Sequence, residues 1–188
     1  MLSKIYTLAL CLLFAGLSLN LAVAEEDPVV IRVGDRQQTR SDFEQHFGVA
    51  LLMNALSIGT PIKSGMQIRE LREHYFDQRI TELLLLQVGQ RRGIQVSESE
   101  LAKGWFDFTQ SLPREYGQYP DPAGYGIEQR QIREHLREQL LIGRIRQVLI
   151  QELYIKPEGL VAGVDYMSGI LARLRAQYTV STCIDCLE

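Results

Sequence analysis

The sequence predicts a mostly α-helical domain in which a small β-sheet joins the two ends of the chain. Apolar residues recur at helical spacing through most of the 188 residues, whereas runs typical of strands occur only near Val29 and near Val180. Capping signals and Gly or Pro stops divide the helical part into five segments. Because an isolated strand is only marginally stable, we expect the last strand to pair with a hairpin near the start.

The strands are predicted from β-branched runs and a turn. Residues 29–33 read VVIRV, and Gly34-Asp35 separates them from residues 37–39, which predicts an N-terminal hairpin. Residues 179–184 read TVSTCI and predict the final strand.

The helices are predicted from apolar stripes and from their start and stop signals. Ser41 with Glu44, and Ser97 with Glu100, have the spacing of capping boxes. Gly93 is a typical C-terminal stop for the helix before it. The five predicted helices cover residues 42–56, 66–92, 98–112, 128–154 and 157–178.

The first 24 residues have the order of a secretory signal peptide. A basic start at Lys4 precedes an apolar run over 5–19, and Ala22-Val23-Ala24 supplies the small residues of a cleavage site. The alternative is an uncleaved membrane anchor, because 5–24 is about long enough to span a bilayer. We expect cleavage after Ala24, a single domain over 25–188 and a periplasmic location.

Composition excludes several classes of protein. The chain has 20 Lys and Arg against 23 Asp and Glu, and this net charge of −3 argues against a nucleic-acid-binding protein. Hydrophobic residues make up 46% of the chain, so wholesale disorder is not expected. The sequence has no glycine-rich phosphate loop, so ATP use is not supported.

Cys183 and Cys186 form the one recognisable chemical motif, a CxxC two residues from the end of the chain. Leu187 occupies the position where c-type haem attachment needs histidine, and no helix can follow to activate a thiolate. We expect a disulfide in a frayed tail, either local or between chains. A metal site shared by two chains and redox catalysis are the alternatives.

No metal ligand set or catalytic residue is predicted. His46, His74 and His135 each stand on a helix without a second ligand at i+4, so we expect them at the surface or at its boundary. No cofactor is expected.

Residues 87–101, QVGQRRGIQVSESEL, carry a resemblance to a known family. An apolar-striped helix ends in Gly-Gln-basic-x-Gly, followed by an extended Ile-x-Val and an acidic capping turn. This order resembles the N-terminal chaperone domain of SurA-type periplasmic proteins, a group that includes PpiD and other parvulin-associated proteins. The similarity extends to residues 29–43, which match the opening hairpin and first helix, and to 132–150, which match the long fourth helix.

The resemblance implies a five-helix chaperone domain without the parvulin-type prolyl isomerase. Such proteins pass into the isomerase after a segment similar to 154–158, but only about twenty residues here separate Pro157 from the last strand. An isomerase needs on the order of ninety, a typical small-domain size. The implied function is ATP-independent binding of unfolded polypeptides such as outer-membrane protein precursors. The alternatives are a prolyl isomerase-related protein and a non-catalytic interaction subunit tethered through the CxxC.

Candidate peptide-binding residues are large apolar side chains that do not fit the main helix stripes. Aromatic and methionine side chains can re-pack around many sequences, as a holdase requires. The alternative is a second layer of packing among the helices. The candidates are Leu52, Met53, Phe76, Phe106, Tyr116 and Tyr119.

Overall fold

The computed structural model describes residues 27–58, 65–111, 127–155 and 166–187. The predicted signal peptide and the candidate binding residues Tyr116 and Tyr119 lie outside these residues. Within the described ranges, no helix combines the length and the apolar character needed to cross a membrane.

The predicted fold class is confirmed: five helices and a three-stranded sheet form the described part of the chain. In chain order the elements are β1 (Val29–Val33), β2 (Arg36–Thr39), α1 (Arg40–Ile58), α2 (Gly65–Arg91), α3 (Glu98–Ser111), α4 (Gln129–Ile155), α5 (Tyr166–Gln177), β3 (Val180–Thr182) and a 3₁₀ turn (Asp185–Leu187).

The sheet brings the two ends of the described chain together, as predicted. Its strand order is β2-β1-β3, and both pairs are antiparallel. Ile31 of β1 stands opposite Thr182 of β3, and the N–H of Gly34 donates to the carbonyl oxygen of Thr179 at 3.0 Å. Gly34 has a φ of 56°, the left-handed conformation that the hairpin turn requires and that glycine adopts without strain.

The start of α1 differs from the prediction, and the capping box expected at Ser41 and Glu44 is wrong. The helix begins two residues earlier because β2 runs directly into it. Thr39 and Asp42 form the reciprocal pair instead, each side chain accepting from the other's backbone N–H at 3.3 Å. The Ser41 hydroxyl donates to the carboxylate of Asp27.

The capping box predicted at Ser97 and Glu100 is confirmed. The Ser97 N–H donates to the Glu100 carboxylate at 2.9 Å, and the Glu100 N–H donates to Ser97 Oγ at 3.3 Å. Arg144 of α4 also donates to Glu100, at 3.2 Å, and so ties the start of α3 to α4. The preceding helix stops at Gly93, which has a φ of 64°.

Helix α2 lies at the centre of the molecule. Every residue from 82 to 89 is buried, because α4, α5 and β1 pack around this part of the helix. The absence of a side chain at Gly89 allows Ile145 of α4 to approach closely, since a Cβ at Gly89 would collide with the Ile145 side chain. Helix α2 therefore forms the centre on which α4, α5 and β1 pack.

The last described residues, 180–187, form a strand and a turn that packs on the core, so the expectation of a frayed tail is wrong for this segment. A disulfide joins Cys183 to Cys186, and the strand expected over 179–184 stops at Thr182 because the chain then enters the disulfide-closed turn. Leu187 is 5% exposed and packs in the main core, and Arg40 donates to its carbonyl oxygen at 3.2 Å. The predicted final helix over 157–178 is described from residue 166 to 177, and 156–165 lie outside the described residues.

Replacing both Cys183 and Cys186 with serine should lower the free energy of unfolding by about 2 kcal/mol, because the bond restricts a short loop in the unfolded chain. The measurement is urea denaturation followed by Trp105 fluorescence. A dithiol reductant should shift the parent protein by the same amount and leave the variant unchanged. Equal stability of parent and variant would show that the core contacts of Leu187 alone hold the turn.

Candidate functional site

A cleft with a volume of about 330 Å³ lies between α1, α2 and α4, and we call it the central cleft. Its apolar wall consists of Phe47, Leu51, Met53 and Leu71. Its polar lining consists of Asn54, His74, Tyr75, Gln78, His135 and Gln139. The cleft thus combines an apolar surface with several neutral hydrogen-bonding groups, as small-ligand sites usually do.

Helical spacing explains how the three helices build the cleft. Residues 47, 51 and 54 of α1 follow at i, i+4 and i+7, and residues 71, 75 and 78 of α2 have the same spacing. Residues 135 and 139 of α4 are one helical turn apart. Side chains at such intervals share one face of a helix, so each helix contributes one row of side chains to the site.

Two side chains at the base of the cleft carry polar atoms without a partner. Tyr75 and His135 are each 6% exposed, and neither the Tyr75 hydroxyl nor His135 Nδ1 has a hydrogen-bond partner among the described residues. Burial raises the pKa of Tyr75 far above its ordinary value, so its hydroxyl keeps the proton. Burial lowers the pKa of His135, which favours the neutral imidazole.

A buried ion-pair network lies beside the cleft and is centred on Arg79. The guanidinium is 2.9 Å from the carboxylates of both Glu82 and Glu138, and its Nε donates to the Gln38 side chain at 3.1 Å. Arg79 and Glu82 are only 3% and 1% exposed. Burial opposes the charge of Arg79, but the carboxylates of Glu138 and Glu82 outweigh it and raise the pKa. The network joins β2, α2 and α4.

The network also fixes the amides of the cleft. Gln78 and Gln139 donate to the same oxygen of Glu82, at 2.9 and 3.1 Å. Burial alone would raise the pKa of Glu82, but these bonds and that from Arg79 lower it. An ionised carboxylate makes stronger hydrogen bonds than a neutral acceptor. Glu82 therefore holds the two amides, one from α2 and one from α4, in fixed positions.

The expectation for His135 needs correction because its side chain is buried, whereas His46 is half-buried, as expected for a residue at the boundary of the surface. His135 is buried, and its ring centre is 6.3 Å from that of His46. His46 is 3.3 Å from Arg79 and 3.6 Å from Glu138, and burial together with the positive charge of Arg79 lowers its pKa. The sequence gives a limited signal for this network: Arg79 and Glu82 have i, i+3 spacing, which places both on one face of the helix.

Of the six predicted peptide-binding residues, the four that the structure describes do not form one surface. Met53 lies in the wall of the central cleft, whereas Leu52 and Phe76 are 0% and 4% exposed and belong to the core. The prediction for Leu52 is corrected, because its side chain is fully buried and lines neither this cleft nor the second one described below. Phe76 packs in the core and lines only the second cleft, so it does not share a surface with Met53. Phe106 is 61% exposed on α3 and is not part of the cleft lining. Sequence reasoning missed Tyr75 and His135, the two residues at its base.

A second, more polar cleft lies next to the disulfide turn and has a volume of about 660 Å³. Arg40, Arg69 and Arg72 line it, together with the exposed Ile184. Two of its arginines already have partners, since Arg72 pairs with Glu44 at 3.2 Å and Arg40 donates to the chain end. These internal pairs make it a weaker candidate than the central cleft.

The described side chains include no group of three or more His, Cys, Asp or Glu that could hold a metal ion. Comparison of the chain with models of known protein families gives no match, and comparison with curated proteins gives no significant match. The functional assignment therefore depends on the chemistry of the central cleft and on the sequence resemblance.

Proposed function

We propose that this protein is an ATP-independent periplasmic chaperone that binds unfolded polypeptides such as outer-membrane protein precursors. The family proposed is that of SurA-type N-terminal chaperone domains, without the parvulin isomerase. The observation that carries the proposal is the central cleft, whose apolar wall remains open between three helices.

The composition of the cleft supports this function. Leu51, Met53 and Leu71 are half-buried and offer apolar surface that a client segment can bury, and such burial contributes free energy without specifying a sequence. Methionine adapts its shape to different partners because its side chain is unbranched and polarizable. A volume of about 330 Å³ accommodates one or two side chains of an extended chain rather than a folded partner.

Two features of the fold are consistent with the proposed family and location. The joined ends, with a hairpin and a returning strand closing a five-helix domain, match the arrangement that the resemblance implies. The Cys183–Cys186 disulfide fits an oxidising compartment such as the periplasm.

A charge in the wall of the cleft should weaken client binding. Met53→Glu places a carboxylate among apolar side chains, so we expect several-fold weaker suppression of aggregation when a urea-unfolded porin is diluted without ATP. Light scattering measures the suppression. Met66→Glu is the matched control, because Met66 is 74% exposed and lies outside the cleft lining.

Melting temperatures of both variants separate loss of binding from loss of folding. The proposal fails if the parent protein, at several-fold molar excess, leaves porin aggregation unchanged. It also fails at this cleft if Met53→Glu, still folded, suppresses aggregation as well as Met66→Glu does.

The alternatives differ from this proposal in measurable properties. A prolyl isomerase-related protein would accelerate isomerisation of a proline-containing peptide, which we do not expect here. A dedicated interaction subunit would retain one stoichiometric partner in a pull-down, whereas a chaperone would retain many. A tether through the CxxC would require reduction of the disulfide, since the two sulfurs are bonded to each other.

A further inference from the structure

The described lining of the central cleft carries no formally charged side chain, since it contains no arginine, lysine, aspartate or glutamate. A phosphate, a carboxylate or an ammonium group would lose its hydration there without gaining an opposite charge. The lining therefore selects a ligand that is neutral, hydrogen-bonding and flanked by apolar groups.

The base of the cleft offers a complementary pair of polar atoms. The protonated Tyr75 hydroxyl is a donor, and a neutral His135 ring can accept at Nδ1. Neither atom has a hydrogen-bond partner among the described residues, and a buried polar atom in that state is unfavourable. A ligand that supplies one carbonyl oxygen and one N–H would satisfy both atoms.

We propose that Tyr75 and His135 bind a main-chain peptide group of an extended client polypeptide. The Tyr75 hydroxyl donates to the client carbonyl oxygen, and His135 Nδ1 accepts from the client N–H. The client side chain next to that peptide group packs on Phe47, Leu51 and Met53. This inference rests on the proposed chaperone function and specifies what its site recognises.

Main-chain recognition would explain how such a cleft accepts many sequences. Every non-proline residue of an unfolded chain carries one carbonyl oxygen and one N–H, whatever its side chain. Tyr75 and His135 line the cleft, but their unpaired polar atoms are buried, so a client must displace neighbouring side chains to reach them. The two hydrogen bonds formed would offset the cost of that movement. The affinity for different clients would then depend on how well the neighbouring side chain packs on the apolar wall.

The test uses Tyr75→Phe, with Tyr178→Phe as the matched control. Tyr178→Phe removes the same kind of hydroxyl, but Tyr178 lies outside the cleft lining, where the Arg91 guanidinium stacks over its ring. The probe is a fluorescein-labelled apolar heptapeptide with a central phenylalanine, together with three analogues in which one central amide is replaced by an ester. Fluorescence anisotropy measures each Kd.

We expect Tyr75→Phe to raise the Kd of the amide peptide about three- to tenfold, the usual effect of one hydrogen bond. One ester analogue should weaken binding to the parent protein by a similar factor, because an ester lacks the N–H from which His135 accepts. The same ester should also bind the Tyr75→Phe variant more weakly than the amide does, since that variant keeps His135. The melting temperature of Tyr75→Phe should stay equal or rise, because the lost hydroxyl had no partner in the described protein. Tyr178→Phe should bind every peptide as the parent does.

Three results would overturn the inference: no binding of the amide peptide, equal affinity of the parent for the amide and all three esters, or a lower melting temperature for Tyr75→Phe. The porin assay distinguishes this failure from that of the proposed function. If the parent protein suppresses aggregation but binds the amide and the esters equally, the proposed chaperone function stands and main-chain recognition is ruled out. If it neither suppresses aggregation nor binds the amide peptide, both proposals are ruled out.

Discussion

Replacing Arg79 with methionine should lower the free energy of unfolding by about 3–5 kcal/mol, as expected when one partner of a buried ion pair is removed. Glu82 and Glu138 would lose the guanidinium that now lies 2.9 Å from each, and no other cation among the described residues is paired with Glu82. Methionine has a similar length, so loss of packing is a smaller contribution. Urea denaturation followed by circular dichroism measures the change.

Arg137→Met is the matched control for this prediction. Arg137 is 49% exposed and pairs with Glu98, which is 80% exposed, at 2.6 Å. An exposed ion pair contributes only about 0–1 kcal/mol, because water solvates either partner when the other is removed. Similar losses for the two variants would show that burial does not set the strength of the Arg79 network.

Phe76→Ala should lower the free energy of unfolding by about 3–5 kcal/mol, the usual effect of removing a core aromatic side chain. Phe76 is 4% exposed and packs edge-on against Phe43, with ring centres 5.6 Å apart. The substitution leaves a cavity beside the central helix. Thermal and urea denaturation both measure the loss of stability.

The same substitution at Phe106 provides the contrast. Phe106 is 61% exposed, so Phe106→Ala should change the free energy of unfolding by no more than about 0.5 kcal/mol. Sequence reasoning placed both residues in one peptide-binding set, and this pair of measurements tests that grouping. A small loss at Phe76 would contradict its assignment to the core and restore it as a candidate binding residue.

The Arg79 network has a role beyond stability, because it determines the shape of the central cleft. Gln78 and Gln139 line the cleft and donate to Glu82, which Arg79 holds from the other side. Loss of Arg79 would therefore release two amides at the cleft as well as weaken the fold. The site depends on a polar cluster that is itself buried, so removal of one member leaves the others without that partner in a place that water does not reach.

The sequence predicted a helix start correctly where the residues that determine it are neighbours in the chain. The capping box at Ser97 and Glu100 formed as expected, since both partners lie within one turn. The box expected at Ser41 and Glu44 did not form, because strand β2 ends at Thr39 and the helix begins at the next residue, Arg40. In that case a tertiary constraint, the position of the sheet, moved the start of the helix.

Burial was harder to predict than secondary structure. Leu52 and Phe76 lie off the apolar stripes assigned to their helices, yet both are in the core, because α1 and α2 are covered on more than one side. A single stripe describes a helix with one solvent face. The buried run from 82 to 89 shows that α2 has no solvent face there.

The amino-acid sequence by itself determined the five helices, the hairpin and the return of the last strand to it, because periodicity, capping residues and turn residues act over a few positions. Only the tertiary structure decided which side chains meet. Arg79 and Glu138, and Tyr75 and His135, come from helices far apart in the chain, and no spacing along the sequence relates them. Their environments follow from how α1, α2 and α4 pack, and the central cleft exists only at that junction.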